Sequence, residues 1–167
     1  RYWGGSDNSK TTRAWLLNIK TKALIELAPA DDKKFQIHTN WNHTGNRVYY
    51  HGPSAQGGQY IGVADMTGKR VWEKHFDVIY YGHVSTHTQA QAIVTDGLIT
   101  PDMVTAIYYE ELDSSGAPRI ELLARHGTQW DGIQAQFTHP HCHMSPDGRW
   151  LSYNKGERGR SDVYVVR

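Results

Sequence analysis

The strongest constraint on this chain is that it repeats itself. "HTNWNHTGNRVYYHG" (His38 to Gly52) lines up with "HCHMSPDGRWLSYNKG" (His141 to Gly156). In both, a turn glycine, Gly45 or Gly148, falls seven positions after the first histidine, and an aromatic-rich strand follows. "GHVSTHTQAQAIVTDG" (Gly82 to Gly97) reads as a third, blurred copy. His38 and His83 are 45 residues apart, and His83 and His139 are 56 apart. A period of roughly 40–45 residues with four short strands per unit is the pattern of a propeller blade.

Helical periodicity is nearly absent. Short β-branched and aromatic runs are punctuated instead by Gly, Asn, Asp and Pro. Strand–turn–strand units recur in "RAWLLNIKTKALIELA" (Arg13 to Ala28), "QYIGVADMTGKRVWEKH" (Gln59 to His75) and "AIYYEELDSSGAPRIELLARH" (Ala106 to His126). The sequence therefore predicts an all-β fold: a β-propeller segment of roughly four four-stranded blades, at 1–34, 35–76, 77–127 and 128–167. The last unit shows only two clear strands before "SDVYVVR", and repeats that do not close leave sheet edges exposed. The expectation is the C-terminal part of a larger propeller, its outer strands partnered by the remaining blades or by another copy. An opening on Arg1 rather than methionine agrees with that expectation. The alternative is a small β-sandwich with coincidental repeats.

Composition narrows the partners. Lysine plus arginine total 18 and aspartate plus glutamate 17, so nothing marks a nucleic-acid-binding surface, and "KGERGR" reads as a solvated loop. No apolar run approaches the ~20 residues of a spanning helix, so no membrane is expected. A single cysteine excludes an intrachain disulfide, which leaves cytoplasm and periplasm both open.

The chemistry is concentrated in "QFTHPHCHMSPDG". In an extended strand His139, His141 and His143 would share one face, with Thr138, Pro140 and Cys142 opposite. Pro140 biases its neighbours toward extended backbone. Imidazoles two residues apart can share a metal, and a Gln136 carbonyl can add an oxygen ligand. Such a set suits Mn²⁺, Zn²⁺ or Fe²⁺. The competing reading is a histidine-rich strand satisfied by hydrogen bonds alone. His87 rivals His83 on the same strand face, while His51, His75 and His126 read as strand-end or turn residues. Tyr80, Tyr81, Tyr108 and Tyr109 read as packing residues, any of which could protonate a leaving group. Trp41, Trp130 and Trp150 read as core, with Trp130 the best sugar-stacking candidate.

"HGTQW" (His126 to Trp130), Gln136, "THPH" (Thr138 to His141) and "SPDG" (Ser145 to Gly148) together resemble the end of the oligogalacturonate lyases. These are seven-bladed propellers that cleave pectin-derived oligouronides by β-elimination. The resemblance implies a divalent metal, Mn²⁺ in that family, on Gln136, His139, His141 and the earlier His83. It implies a catalytic histidine at His38 and a substrate-binding arginine at Arg13. Where that family has proline and then serine after the His-Pro-His run, this chain has Cys142 and His143. Ulvan lyases, also seven-bladed propellers, carry a Zn²⁺ near a histidine-dependent site and are the neighbouring possibility.

The expected partner is thus an oligouronide. The ion would neutralise the C6 carboxylate and acidify the C5 proton, Arg13 would orient the ring, and neutral His38 would take the proton. The alternative from another class is a non-catalytic binding propeller whose histidines hold a structural ion with saturated ligands.

Overall fold

The computed structural model describes residues 13–28, 36–54, 57–77, 82–128 and 138–167. Gln136, Trp130, Tyr80 and Tyr81 lie outside them. Within the described residues there is no α-helix, and thirteen strands form four antiparallel sheets. The chain divides into two compact units, Arg1–Ile79 and Tyr80–Arg167.

The first unit holds a two-stranded sheet, β1 (Trp15–Leu17) with β2 (Leu24–Glu26). It also holds a four-stranded one, β3 (Ile37–Trp41), β4 (Arg47–Pro53), β5 (Gln59–Asp65) and β6 (Arg70–Phe76), each paired with its sequence neighbour. The second unit holds another four-stranded meander, β7 (Val84–Thr86), β8 (Ile93–Asp96), β9 (Met103–Leu112) and β10 (Pro118–Arg125). Its other sheet is three-stranded: β11 (His143–Met144), β12 (Leu151–Glu157) and β13 (Arg160–Val166). A four-stranded meander with only consecutive pairings is the unit from which propellers are built.

Turn chemistry explains why these hairpins close where they do. The β5–β6 turn is Asp65-Met66-Thr67-Gly68-Lys69 and the β9–β10 turn is Asp113-Ser114-Ser115-Gly116-Ala117. In each, one aspartate oxygen accepts hydrogen bonds from the amide two residues on (2.8 Å in both), from that residue's hydroxyl, and from the amide four residues on. The glycine three residues on takes φ +82° or +79°, a conformation that side chains resist. One turn recipe, used twice, sets both registers.

Burial falls from the inner strands to the outer ones. β5 and β8 are buried almost throughout, whereas β13 is exposed along nearly its whole length. Strands covered on both faces lose the hydrophobic alternation that a half-buried strand shows, and β8 reads Ile-Val-Thr-Asp accordingly. In the first unit Leu16 and Leu27 pack on Val48, Tyr50, Tyr60 and Ala64. In the second, Val94 and Val104 pack on Cys142, Leu151 and Tyr153, joining its two sheets. Trp41 and Trp150, expected in the core, are 46% and 45% exposed: one ends β3 and the other precedes β12.

The segment before β11 is seated by close approach. A Cβ at Gly156 would collide with the Cβ of Thr138, so only glycine lets the chain pass over β12 there. Asn154 grips the same segment twice, its amide donating to the Pro140 carbonyl (2.7 Å) and its side chain to that of His139 (3.3 Å). Gly156→Ala is therefore expected to destabilise the fold by about 1–3 kcal/mol, the usual range for overpacking. Denaturant titration of the two proteins checks this.

Candidate metal centre

The histidines of "THPHCH" do not lie on one continuous strand. Residues 139–142 are outside any strand, and β11 begins only at His143. His141 takes φ +47°, left-handed backbone that breaks the strict alternation expected from sequence. His139 and His141 nevertheless converge, with ring centroids 5.9 Å apart, and His83 joins them from the segment before β7. Its ring lies 5.3 Å from that of His139 and 3.9 Å from that of His141. One nitrogen from each of the three lies within 4.8 Å of the others. His139 and His83 are buried, and His141 is the most solvent-accessible of the three.

Asp96, at the end of β8, was missed by the sequence reading. Its side chain is fully buried, and it accepts from the His83 amide (2.6 Å) and from the His83 ring at Nδ1 (3.1 and 3.2 Å). It also accepts from the Cys142 amide at 3.4 Å. "VTDG" reads as a strand running into a turn, so the only sequence signal was an acid two residues after a buried valine. With Nδ1 engaged by a carboxylate, Nε2 is the atom His83 presents to a ligand, the usual arrangement for a metal-binding imidazole. Burial, and then the neighbouring His83, hold the His141 imidazole below its ordinary pKa, so it stays neutral, as ligation requires. The donor set fits a borderline divalent ion.

Neither Cys142 nor His143 belongs to the cluster. Cys142 points into the core with Val94, Val104, Leu151 and Tyr153, and burial pushes its thiol well above its ordinary pKa. It behaves as a small apolar side chain. His143 is exposed on β11. His87 stands beside Tyr108, 6.0 Å between rings, rather than with the triad. The tyrosine hydroxyls are engaged: Tyr108 donates to Glu121 (2.9 Å) and Tyr109 to Gln91 (3.0 Å).

In the first unit, His38 sits where the β3–β4 register slips, with φ +48°. Its Nδ1 is 2.8 Å from Nε2 of His51 on β4, so one imidazole donates to the other. His51 is 2% exposed and had been assigned no role from sequence. His38 and His141, aligned in the repeat, thus share the same left-handed backbone. Arg13 donates from Nε to Glu26 (2.8 Å) and from Nη2 to the carbonyls of Leu27 (3.1 Å) and Ala28 (2.7 Å). Its side chain is 9% exposed, and it braces the end of β2.

The sheets and the triad together make an all-β, meander-built chain with three convergent imidazoles that could hold a metal ion. That fold is the one seen in solved oligogalacturonate lyases. One, an oligogalacturonate lyase in complex with manganese, superposes with a TM-score of 0.69 at 18% identity, over 97% of this chain and 43% of that one. Another, the oligogalacturonate lyase from Vibrio parahaemolyticus, gives 0.62 at 19% identity, over 92% and 41%. This chain therefore spans about two fifths of the length of either enzyme. No protein-family model and no curated protein sequence matches it.

Two outcomes are expected. His139→Ala should abolish stoichiometric binding of a divalent ion, while His143→Ala should retain it; metal analysis of dialysed protein decides. The second concerns pH. Burial holds the pKa of His126, 1% exposed, below its ordinary value, more strongly than the charges of Asp96 and Asp102 raise it. The unfolded chain then takes up this proton at a higher pH than the folded one, so stability falls as pH drops below about 6.5. His126→Asn should flatten that part of the profile, read from denaturation midpoints across pH.

Proposed function

We propose that this chain is the metal-bearing part of a β-propeller polysaccharide lyase that cleaves uronate-containing oligosaccharides by β-elimination, leaving a 4,5-unsaturated product. The observation that carries the reading is the convergence of His83, His139 and His141 on a fold shared with oligogalacturonate lyases. Mn²⁺ is the proposed ion, by analogy with the manganese complex; Zn²⁺ is the alternative the same imidazoles would accept. Gln136, outside the described residues, is proposed as the fourth ligand.

When bound, a divalent ion supplies Lewis acidity toward a uronate carboxylate, which lowers the barrier to loss of the C5 proton. His83, held by Asp96, and His139 and His141, held over β12, present their nitrogens without needing to reorganise. His38 is the proposed general base. Its Nδ1 is turned to His51, so a proton taken from substrate goes to Nε2, and the resulting charge is shared with a second imidazole at 2.8 Å. Imidazole is the side chain suited to general-base work near neutral pH. Backbone strain at His38, seen directly in its φ, is the kind that collects at functional positions. Arg13 is given no step, because its bonds to Glu26, Leu27 and Ala28 brace the sheet.

Exposed apolar side chains support the propeller reading: Trp15, Leu17 and Leu24 on the two-stranded sheet, and Val163 and Val165 on the outer strand β13. They are proposed to pack against further blades of the same propeller.

Incubation of the full-length form, with its remaining blades, with oligogalacturonate and Mn²⁺ should raise the ultraviolet absorbance of the conjugated product; this chain alone is expected to lack part of the cleft wall. His38→Ala should keep its metal but lose turnover by roughly 10²–10⁴-fold, the worth of a general base. His139→Ala should lose both. A metal-loaded full-length form that raises no such absorbance on oligogalacturonate or on ulvan would make the centre structural and sink the lyase reading.

A further inference from the structure

A buried carboxylate persists only where counter-charge or N–H groups meet it. Asp96 is 0% exposed, and among the described residues it forms no ion pair with lysine or arginine; the side chain that meets it is the His83 ring. Its other donors are backbone amides, those of His83 and Cys142. The three donors fall on both segments that bring histidines to the centre. One is the ligand His83 itself, and another is the amide immediately after the ligand His141. Asp96 thereby touches both segments, 13 residues back along the chain and 46 residues forward.

Resting on the metal-centre reading above, we propose that Asp96 is the positioning residue of that centre. It holds His83 in the Nδ1–H tautomer, which leaves the Nε2 lone pair for the ion, and it anchors the Cys142 amide, which fixes where His141 enters. A carboxylate does both because each of its oxygens is an acceptor. An asparagine of the same shape cannot. Whichever way its amide turns, an NH₂ group replaces one acceptor, facing the Cys142 amide in one orientation and the His83 amide in the other, and in both it competes with the remaining oxygen for Nδ1 of His83. Where the NH₂ rather than the oxygen engages Nδ1, His83 takes the Nε2–H tautomer and its ligating lone pair is lost.

The first measurement uses wild-type protein without metal. Nitrogen-15 NMR of the imidazoles at alkaline pH, with the His83 signals assigned by their loss in His83→Gln, should show the Nδ1–H tautomer. An Nε2–H tautomer overturns the proposal. The second measurement is calorimetric titration with Mn²⁺ and with Zn²⁺ of wild type, Asp96→Asn and, as control, His143→Gln. Asp96→Asn should lose roughly 10–100-fold in affinity, as removal of an outer-shell partner does, while His143→Gln binds as wild type. Circular dichroism establishes that the variants are folded. Should Asp96→Asn not fold, the tautomer in wild type decides alone. Wild type that binds neither ion defeats the metal-centre reading, whereas equal binding by wild type and Asp96→Asn defeats this inference and leaves that reading standing.

Discussion

An irregular stretch of backbone in a protein interior must still find partners for its polar groups. The segment 138–142 has no ladder of its own, yet it delivers two histidines of the candidate centre. What seats it is β12. Gly156 lets Thr138 lie flush on the strand, and Asn154 takes the carbonyls of His139 and Pro140. Cys142 then sinks into the core beside Val94 and Val104, and the chain resumes pairing only at His143. The positions of the ligands follow from those attachments rather than from a strand's alternation.

The two left-handed histidines tell the same story from the repeat. His38 and His141 occupy equivalent places, four residues before the turns that close at Gly45 and Gly148. An L-residue in this conformation costs about 1–2 kcal/mol. That both copies bear the cost implies a shared blade geometry that turns the side chain aside just before the first long strand. In one copy the imidazole meets another histidine; in the other it meets a triad.

Much of this was legible in the sequence. The recurring strand–turn–strand units, short apolar runs punctuated by Gly, Asn, Asp and Pro, marked the meanders, because turn chemistry is local and glycine is hard to replace at positive φ. The convergence of His83, His139 and His141 was legible too, through a motif resemblance supported by three metal-competent side chains. The backbone at His141 was not, since an extended reading assumed strand pairing that the segment does not make. Asp96 and His51 escaped for another reason. Each gains its role from a partner 13 residues away across a hairpin, and neither carries a local pattern that distinguishes it from a turn acid or a strand-end histidine. Arg13 shows the converse: a charge near a strand start reads equally as a ligand clamp or a brace, and only its three acceptors separate the two.

Among the described residues every sheet pairs strands adjacent in sequence, so the loops to be closed are short and their entropy is small. A chain of this kind gathers its hairpins early, because local contacts form first and non-local ones wait. The imidazole cluster is the exception. His83 and His139 are separated by an entire meander, and the carboxylate that links their segments bridges 46 residues. The site thereby depends on the docking of two sheets: imidazoles brought together and Asp96 buried require both to be in place. An ion that binds there selects finished molecules and raises the barrier to their undoing.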